Sequence, residues 1–102
     1  MAELDKVIHV PARLRIMAAL MALAPREQLD FSTLGETLGL TDGNLGAHLQ
    51  TLEQVGYIKV HKSFINRKPR THVSATAKGQ ARFEEHVAAL REICNLPERT
   101  SL

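Results

Sequence analysis

The stretch from Leu40 to Val60, LTDGNLGAHLQTLEQVGYIKV, constrains this chain more than any other, because it runs straight into HKSFINRKPRTHV. In order, it predicts a turn, a helix with one apolar stripe, a Gly-Tyr break, a strand and a positively charged hairpin. The stripe is Leu45, Leu49, Leu52 and Val55. From Val55 to Arg82 the chain holds Lys59, Lys62, Arg67, Lys68, Arg70, Lys78 and Arg82 and not one Asp or Glu. A surface built to face phosphates has that character.

The charge is local. Residues 1–54 sum to −3, residues 55–82 to +7 and residues 83–102 to −2, so the overall +2 conceals the pattern. With 102 residues the expectation is one domain, 1–102, able to bury a core yet small enough to gain stability from a partner subunit. The single cysteine, Cys94, excludes an internal disulfide framework and any multi-cysteine zinc site, and makes the cytoplasm the expected location. MAELDKVIHVPARLR has acids and a proline where a secretory signal needs a basic start and an unbroken apolar stretch. The longest apolar run, MAALMALA, is too short to span a bilayer, so no membrane partner is expected.

Pro11 suits the first position of a helix, and ARLRIMAALMALA after it is rich in helix formers, which predicts a first helix from about 11 to 24 ended by Pro25. Its apolar residues fall on two sides, Leu14, Met17 and Met21 on one and Ile16, Leu20 and Leu23 on the other. One side can serve the core and the other a partner. Ahead of it, Leu4, Val7 and Ile8 have helical spacing and suggest a short arm against a neighbouring subunit.

A second helix is predicted from Phe31, Leu34 and Leu38, behind a Ser32 or Thr33 cap with Thr33 and Glu36 spaced as a capping box. Gly39 stops it and Thr41 caps the third, giving two short helices joined by a tight turn. Gly56 ends the third helix, and Tyr57, Ile58, Val60, Thr71 and Val73 give strand character on either side of Asn66 to Pro69. Thr76 caps a final helix with Phe83, Val87, Leu90 and Cys94 on one stripe, and NLPERTSL reads as a frayed tail.

Taken together, HVPARLRIMAAL, FSTLGETLGLTDGNLGAHLQTLEQVGYI and SATAKG make the chain resemble the winged helix-turn-helix transcriptional regulators, in the compact group allied to the MarR and ArsR families. The resemblance covers nearly the whole chain. It implies a mainly α fold with a small β-hairpin, an α+β winged helix with a two- or three-stranded wing. It also implies a homodimer joined through the first and last helices, which would place Leu4, Val7, Ile8, Leu14, Met17, Met21, Phe83, Val87, Leu90 and Cys94 at the dimer interface. Two departures stand out. The ArsR-type cysteine metal-sensing motif is absent from the recognition unit, and no Lys or Arg occurs between Glu27 and Ile58.

Projected at roughly 100° per residue, the third helix sends Gly43, Ala47, Gln50, Thr51 and Gln54 away from its apolar stripe, with Asn44 and His48 on the flank. Small residues at 43, 46 and 47 let a backbone approach DNA, and Asn44 and Gln50 carry the donor and acceptor pair that reads adenine in the major groove. The plainer alternative is a solvated helix face. At the hairpin tip, Asn66, Arg67, Lys68 and Arg70, with Lys62 below, can reach a phosphate backbone or a minor groove. Thr41 joins this DNA-binding set from the helix cap. Phe64 and Ile65 are expected to pack beneath the tip.

Five histidines raise a metal site. A hairpin centred between Asn66 and Arg67 sets His61 opposite His72, but two ligands make no zinc site, and His9, His48 and His86 have no joining spacing. His48 reads instead as a donor to a phosphate or to the second helix's turn. Cys94, on the apolar stripe of the last helix, reads as a buried structural thiol. No Gly-rich phosphate loop, nucleophile elbow or apolar carboxylate pair is present, so neither an enzyme nor a bound cofactor is expected. The expectation is a homodimeric, sequence-specific binder of double-stranded DNA that regulates transcription, most simply as a repressor. There is room for a small-molecule effector between dimer helices, but no residue set names one. The competing reading is a protein-interaction adaptor, which a third helix without any Lys or Arg favours.

Overall fold

The computed structural model describes residues 1–23 and 27–95. The elements run α1 (Pro11–Met21), β1 (Leu29–Asp30), α2 (Phe31–Leu38), α3 (Asp42–Gln54), β2 (Ile58–Ile65), β3 (Lys68–Ala75) and α4 (Ala77–Ile93). The three strands form an antiparallel sheet in the order β1-β3-β2. Four helices packed with this sheet make a winged helix, α+β, as the resemblance implies.

Local chemistry sets most boundaries. Gly39 takes φ 67° beyond α2, a conformation in which any side chain is strained, and so turns the chain sharply into α3. Three residues separate the helices, and Thr41 caps α3 by accepting a bond from the Asn44 N–H at 3.2 Å. Gly56, at φ 80°, ends the turn after α3. Thr76 caps α4 from the Gly79 N–H and donates its own hydroxyl proton to the Gly56 carbonyl at 2.6 Å, fastening the end of α3 to the start of α4. Gly79 sits so close to Tyr57 that a Cβ there would lie 2.1 Å from the Tyr57 carbonyl oxygen.

The core joins Ile8, Ile16, Met17, Leu20, Leu34, Leu45, Leu49, Leu52, Tyr57, Ile58 and Val73. Leu45, Leu49 and Leu52 are the expected stripe of α3, each worth roughly 1.5–3 kcal/mol of burial. Ile8 and Met17 are fully enclosed within this chain, which removes them from any subunit interface. Instead of an arm reaching a neighbour, residues 5–9 make one turn folded onto their own domain. The Asp5 carboxylate accepts from the N–H groups of Val7 and Ile8 and from the Tyr57 hydroxyl, and the Asp5 N–H donates to His86 Nδ1 at 2.9 Å.

That cluster is the main polar feature of the interior. His86, not the flanking apolar stripe, is the enclosed residue of α4 along with Gly79 and Ala89. Its Nδ1 accepts a hydrogen bond, so in the neutral ring the proton is on Nε2, which is buried without a partner among the described residues. Burial, and next the nearby His9 ring, push its pKa down, while the Asp5 charge opposes them. Burial raises the Asp5 pKa, but the bonds from Tyr57, Ile8 and Val7 outweigh it and leave the carboxyl below its ordinary value. Burial and the bond to Asp5 push the Tyr57 hydroxyl up to about 12.

Other expectations are corrected. α1 ends at Met21 with Ala22 as its cap, and Pro25, its expected terminator, lies outside the described residues, as does the tail from Leu96. Asp30, not Ser32 or Thr33, caps α2 by accepting from the Thr33 N–H at 3.2 Å. The cause is β1, whose Leu29 and Asp30 pair with Val73 and His72 and so set where the helix begins. Cys94 is exposed at the end of α4, because the helix runs past the core there.

Candidate nucleic-acid interface

The hairpin turns on Asn66 and Arg67 alone, both at positive φ (52° and 63°), the two-residue geometry that matches the twist of the flanking strands. The register follows: Ile65 opposes Lys68, Phe64 opposes Pro69, Lys62 opposes Thr71 and His61 opposes His72, as a turn centred there requires. Alternation sorts the wing into two faces. Ile58, Val60, Lys62 and Phe64, with Ala75, Val73, Thr71 and Pro69, look toward the core side. Lys59, His61, Ser63 and Ile65, with Ser74, His72, Arg70 and Lys68, look away from it.

Only the base of the wing reaches the core. Every residue from His61 to Arg70 is exposed, and so are Phe64 (78%) and Ile65 (49%), which were expected beneath the tip. The strands outrun the core, leaving nothing under them. Of the seven cations, Lys78 and Arg82 belong to α4, one with its ammonium 5.7 Å from the centre of the Tyr57 ring and the other paired with Glu85 at 3.7 Å. Lys59, Lys62, Arg67, Lys68 and Arg70 make no ion pair among the described residues.

On α3, Thr41, Gly43, Asn44, Ala47 and Gln50 are exposed, and a Cβ added at Gly43 or Gly46 would meet open space. The small side chains therefore leave the backbone approachable, as their types suggest. Two flanking residues are less free. Thr51 donates its hydroxyl proton back to the Ala47 carbonyl at 3.2 Å, and His48 Nδ1 accepts from Arg13 Nε at 3.3 Å, which ties its ring to α1 rather than to the second helix's turn.

Helix and wing meet in a cleft of about 450 Å³ lined by Phe31, Gly46, Leu49, Gln50, Glu53, Val60, Lys62 and Thr71. Gln50, a candidate base reader, and Lys62, a candidate phosphate contact, thus share one opening although 12 positions apart in sequence. Glu53 is the acid in this cleft, and one of its oxygens accepts the edge-strand N–H of Val60 at 3.3 Å. Phe31 and Glu53 carry no signal in the sequence that would place them here, since Phe31 lies outside both α3 and the basic segment, and Glu53 falls beside Leu49 in the helical projection rather than among the outward residues. Among the described residues, no group of three or more His, Cys, Asp or Glu could hold a metal ion, and no helix is long and apolar enough to cross a membrane.

Comparison with known proteins agrees with this geometry. Residues 12–94 match the model of a family described as a winged helix DNA-binding domain. The uncharacterized protein MJ0432 of Methanocaldococcus jannaschii is 34% identical over 88 residues, 86% of this chain and 92% of that one. The solved structure of a transcriptional regulator homologue from Pyrococcus horikoshii OT3 is 33% identical and superposes with a TM-score of 0.80 over 89% of this chain and 87% of that one. A MarR family transcriptional regulator from Silicibacter pomeroyi, 20% identical, shares the fold at a TM-score of 0.62 over 85% of this chain and 58% of its own. An exposed helix joined to a cationic wing, on a chain so matched over most of its length, places the protein in the winged helix DNA-binding domain family.

Proposed function

We propose that two copies of this chain bind one pseudopalindromic site in double-stranded DNA and repress transcription by occupying it. Each α3 lies in a major groove, where Asn44 and Gln50 read base edges beside Gly43 and Ala47, with Thr41, His48 and Thr51 at the margins. The wings place Lys62, Asn66, Arg67, Lys68 and Arg70 on the flanking backbone. The observation that carries this reading is the free cationic wing sharing a cleft with an exposed helix face that holds no Lys or Arg. Charge supplies affinity and the helix supplies selectivity.

Dimerisation belongs to the proposal because one short helix reads too few base pairs to find a site in a genome, and two held about 34 Å apart multiply the discrimination. The surface that supports it is on α4, where Val87 and Leu90 are half-buried and Ile93 and Cys94 exposed along one side. Leu4 lies exposed in the segment that the Ala2 N–H tethers to Glu92 at 3.5 Å. Leu14, Met21 and Phe83 are partly buried against the core and contribute at the margin.

Leu90→Glu is expected to give a folded monomer that has lost most affinity for a two-half-site operator but binds one half-site about as the unmodified chain does. Sedimentation showing the unmodified protein monomeric at micromolar concentration, on and off DNA, overturns the dimer. Failure to bind heparin or bulk duplex DNA in a salt-dependent way overturns the DNA reading and favours an adaptor.

A further inference from the structure

Among the described residues, Phe64 is the most exposed large apolar side chain after Met1, at 78%. It opposes Pro69, and the pair forms an apolar pad on the face that also carries Lys62 and Thr71. That face lines the cleft shared with Gly46 and Gln50 of α3. One residue pair further along the strand, about 7 Å, brings it to Phe64 and Pro69.

The backbone suits Pro69 at this place. Val60, which has the same parity as Phe64 along β2, turns its N–H away from β3 and gives it to Glu53. By that alternation the Phe64–Pro69 pair exchanges no backbone bond, so proline costs the ladder nothing and stiffens the tip.

Lys62 shares the face of this pad, Arg67 lies at the turn beyond it, and Lys68 and Arg70 flank it in sequence on the opposite face of the ribbon, with no acid from Val55 to Arg82. A ribbon with strands about 4.8 Å apart and side chains on both faces is too broad for a minor groove about 6 Å wide unless the groove opens. Apolar wedges open it by leaning into a base step, which bends the duplex toward its major groove.

We propose that Phe64, backed by Pro69, is such a wedge: it enters the minor groove beside the wing's phosphate contacts and bends the duplex around α3 in the adjoining major groove. The proposal rests on the reading of the wing as a DNA contact. An anionic membrane would also attract cations around an apolar tip, but the pad continues a cleft whose other wall is the exposed face of α3, and a single ring near the end of a stiff β-ribbon is a poor membrane anchor.

The chain contains no tryptophan, so Phe64→Trp places a sole indole at the tip. Saturation with a random-sequence duplex of about three helical turns, followed independently by anisotropy of labelled DNA, should quench its emission about two-fold or more and shield it from iodide, as stacking on bases requires. Energy transfer between the duplex ends should report a bend. Phe64→Ala should abolish the bend and weaken binding by about five-fold or more while leaving the salt slope unchanged.

A bright, iodide-accessible indole on saturated DNA, or an equal bend with Phe64→Ala, overturns the wedge and leaves the DNA reading standing. Absence of DNA binding, with the emission responding instead to phosphatidylglycerol vesicles, overturns both.

Discussion

The third helix and the wing stand on either side of one cleft and are built in opposite ways. α3 is anchored along its length by Leu45, Leu49 and Leu52 and shows solvent a face without a single cation. The wing is anchored at its base by buried Ile58 and Val73 with Val60 and Ala75 packed beside them, and every residue of its outer half is exposed, with four of the ten from His61 to Arg70 being Lys or Arg. A surface that discriminates must hold its donors and acceptors in register, which demands a rigid backing. One that neutralises phosphates tolerates motion, because Coulomb attraction is long-ranged and undirected. The difference teaches that stability and affinity are lodged in separate parts of this domain, so substitutions can separate them.

The largest effect is expected at the wing. Replacing Arg67, Lys68 and Arg70 with Ala should flatten the slope of log affinity against log salt by about 2.7, and so cost several-hundred-fold in affinity near 0.1 M salt, on specific and random duplexes alike. Thermal stability should hardly move, since none of the three touches the core. A slope that stays put in the triple variant would show that the wing does not reach DNA.

Leu45→Ala is the converse. Enclosed at 0% exposure, the side chain should cost about 3 kcal/mol when truncated, read as a fall of more than about 10 °C in midpoint, while the folded fraction keeps its salt slope. Loss of the slope along with stability would mean that the two regions are energetically one.

On the open face of α3, Asn44→Ala or Gln50→Ala should remove about 1–3 kcal/mol of discrimination at one or two base pairs, with little loss on random DNA. Equal losses on cognate and scrambled duplexes would reassign these residues to backbone contacts.

The smallest effect is a pH dependence that neither region should share. His86 has a folded pKa below its ordinary value of 6.5, so the unfolded chain binds the proton more readily. Stability should be constant above about 6.5 and fall as the pH drops below it, by at most about 1.4 kcal/mol per unit, until the folded pKa is reached. Asp5, with its pKa lowered, adds its own loss only below about its unfolded 3.8. Calorimetry of His86→Gln should show the decline between pH 6.5 and 5 flattened. An unaltered decline would trace it to other groups.

What the sequence alone determined is what rests on short-range chemistry. Gly39, Thr41, Gly56 and Thr76 mark boundaries because a left-handed φ or a side-chain cap is settled within three or four residues. Asn66 and Arg67 mark the hairpin centre for the same reason, and with it the pairing of His61 and His72. Charge segregation along the chain announced the wing. Tertiary structure alone decided which face of an amphipathic element turns inward and how far the core reaches. It enclosed Ile8 and Met17, chose His86 over the neighbouring stripe by offering it Asp5 from 81 positions away, and stopped the core short of Phe64 and Cys94. Asp30 became a cap because a two-residue strand, too short for any periodicity, paired with β3. Gln50 came to face Lys62 because α3 and β2 pack side by side. Each of these depends on what distant segments leave available, since burial and pairing belong to the assembled set of elements and not to any one of them.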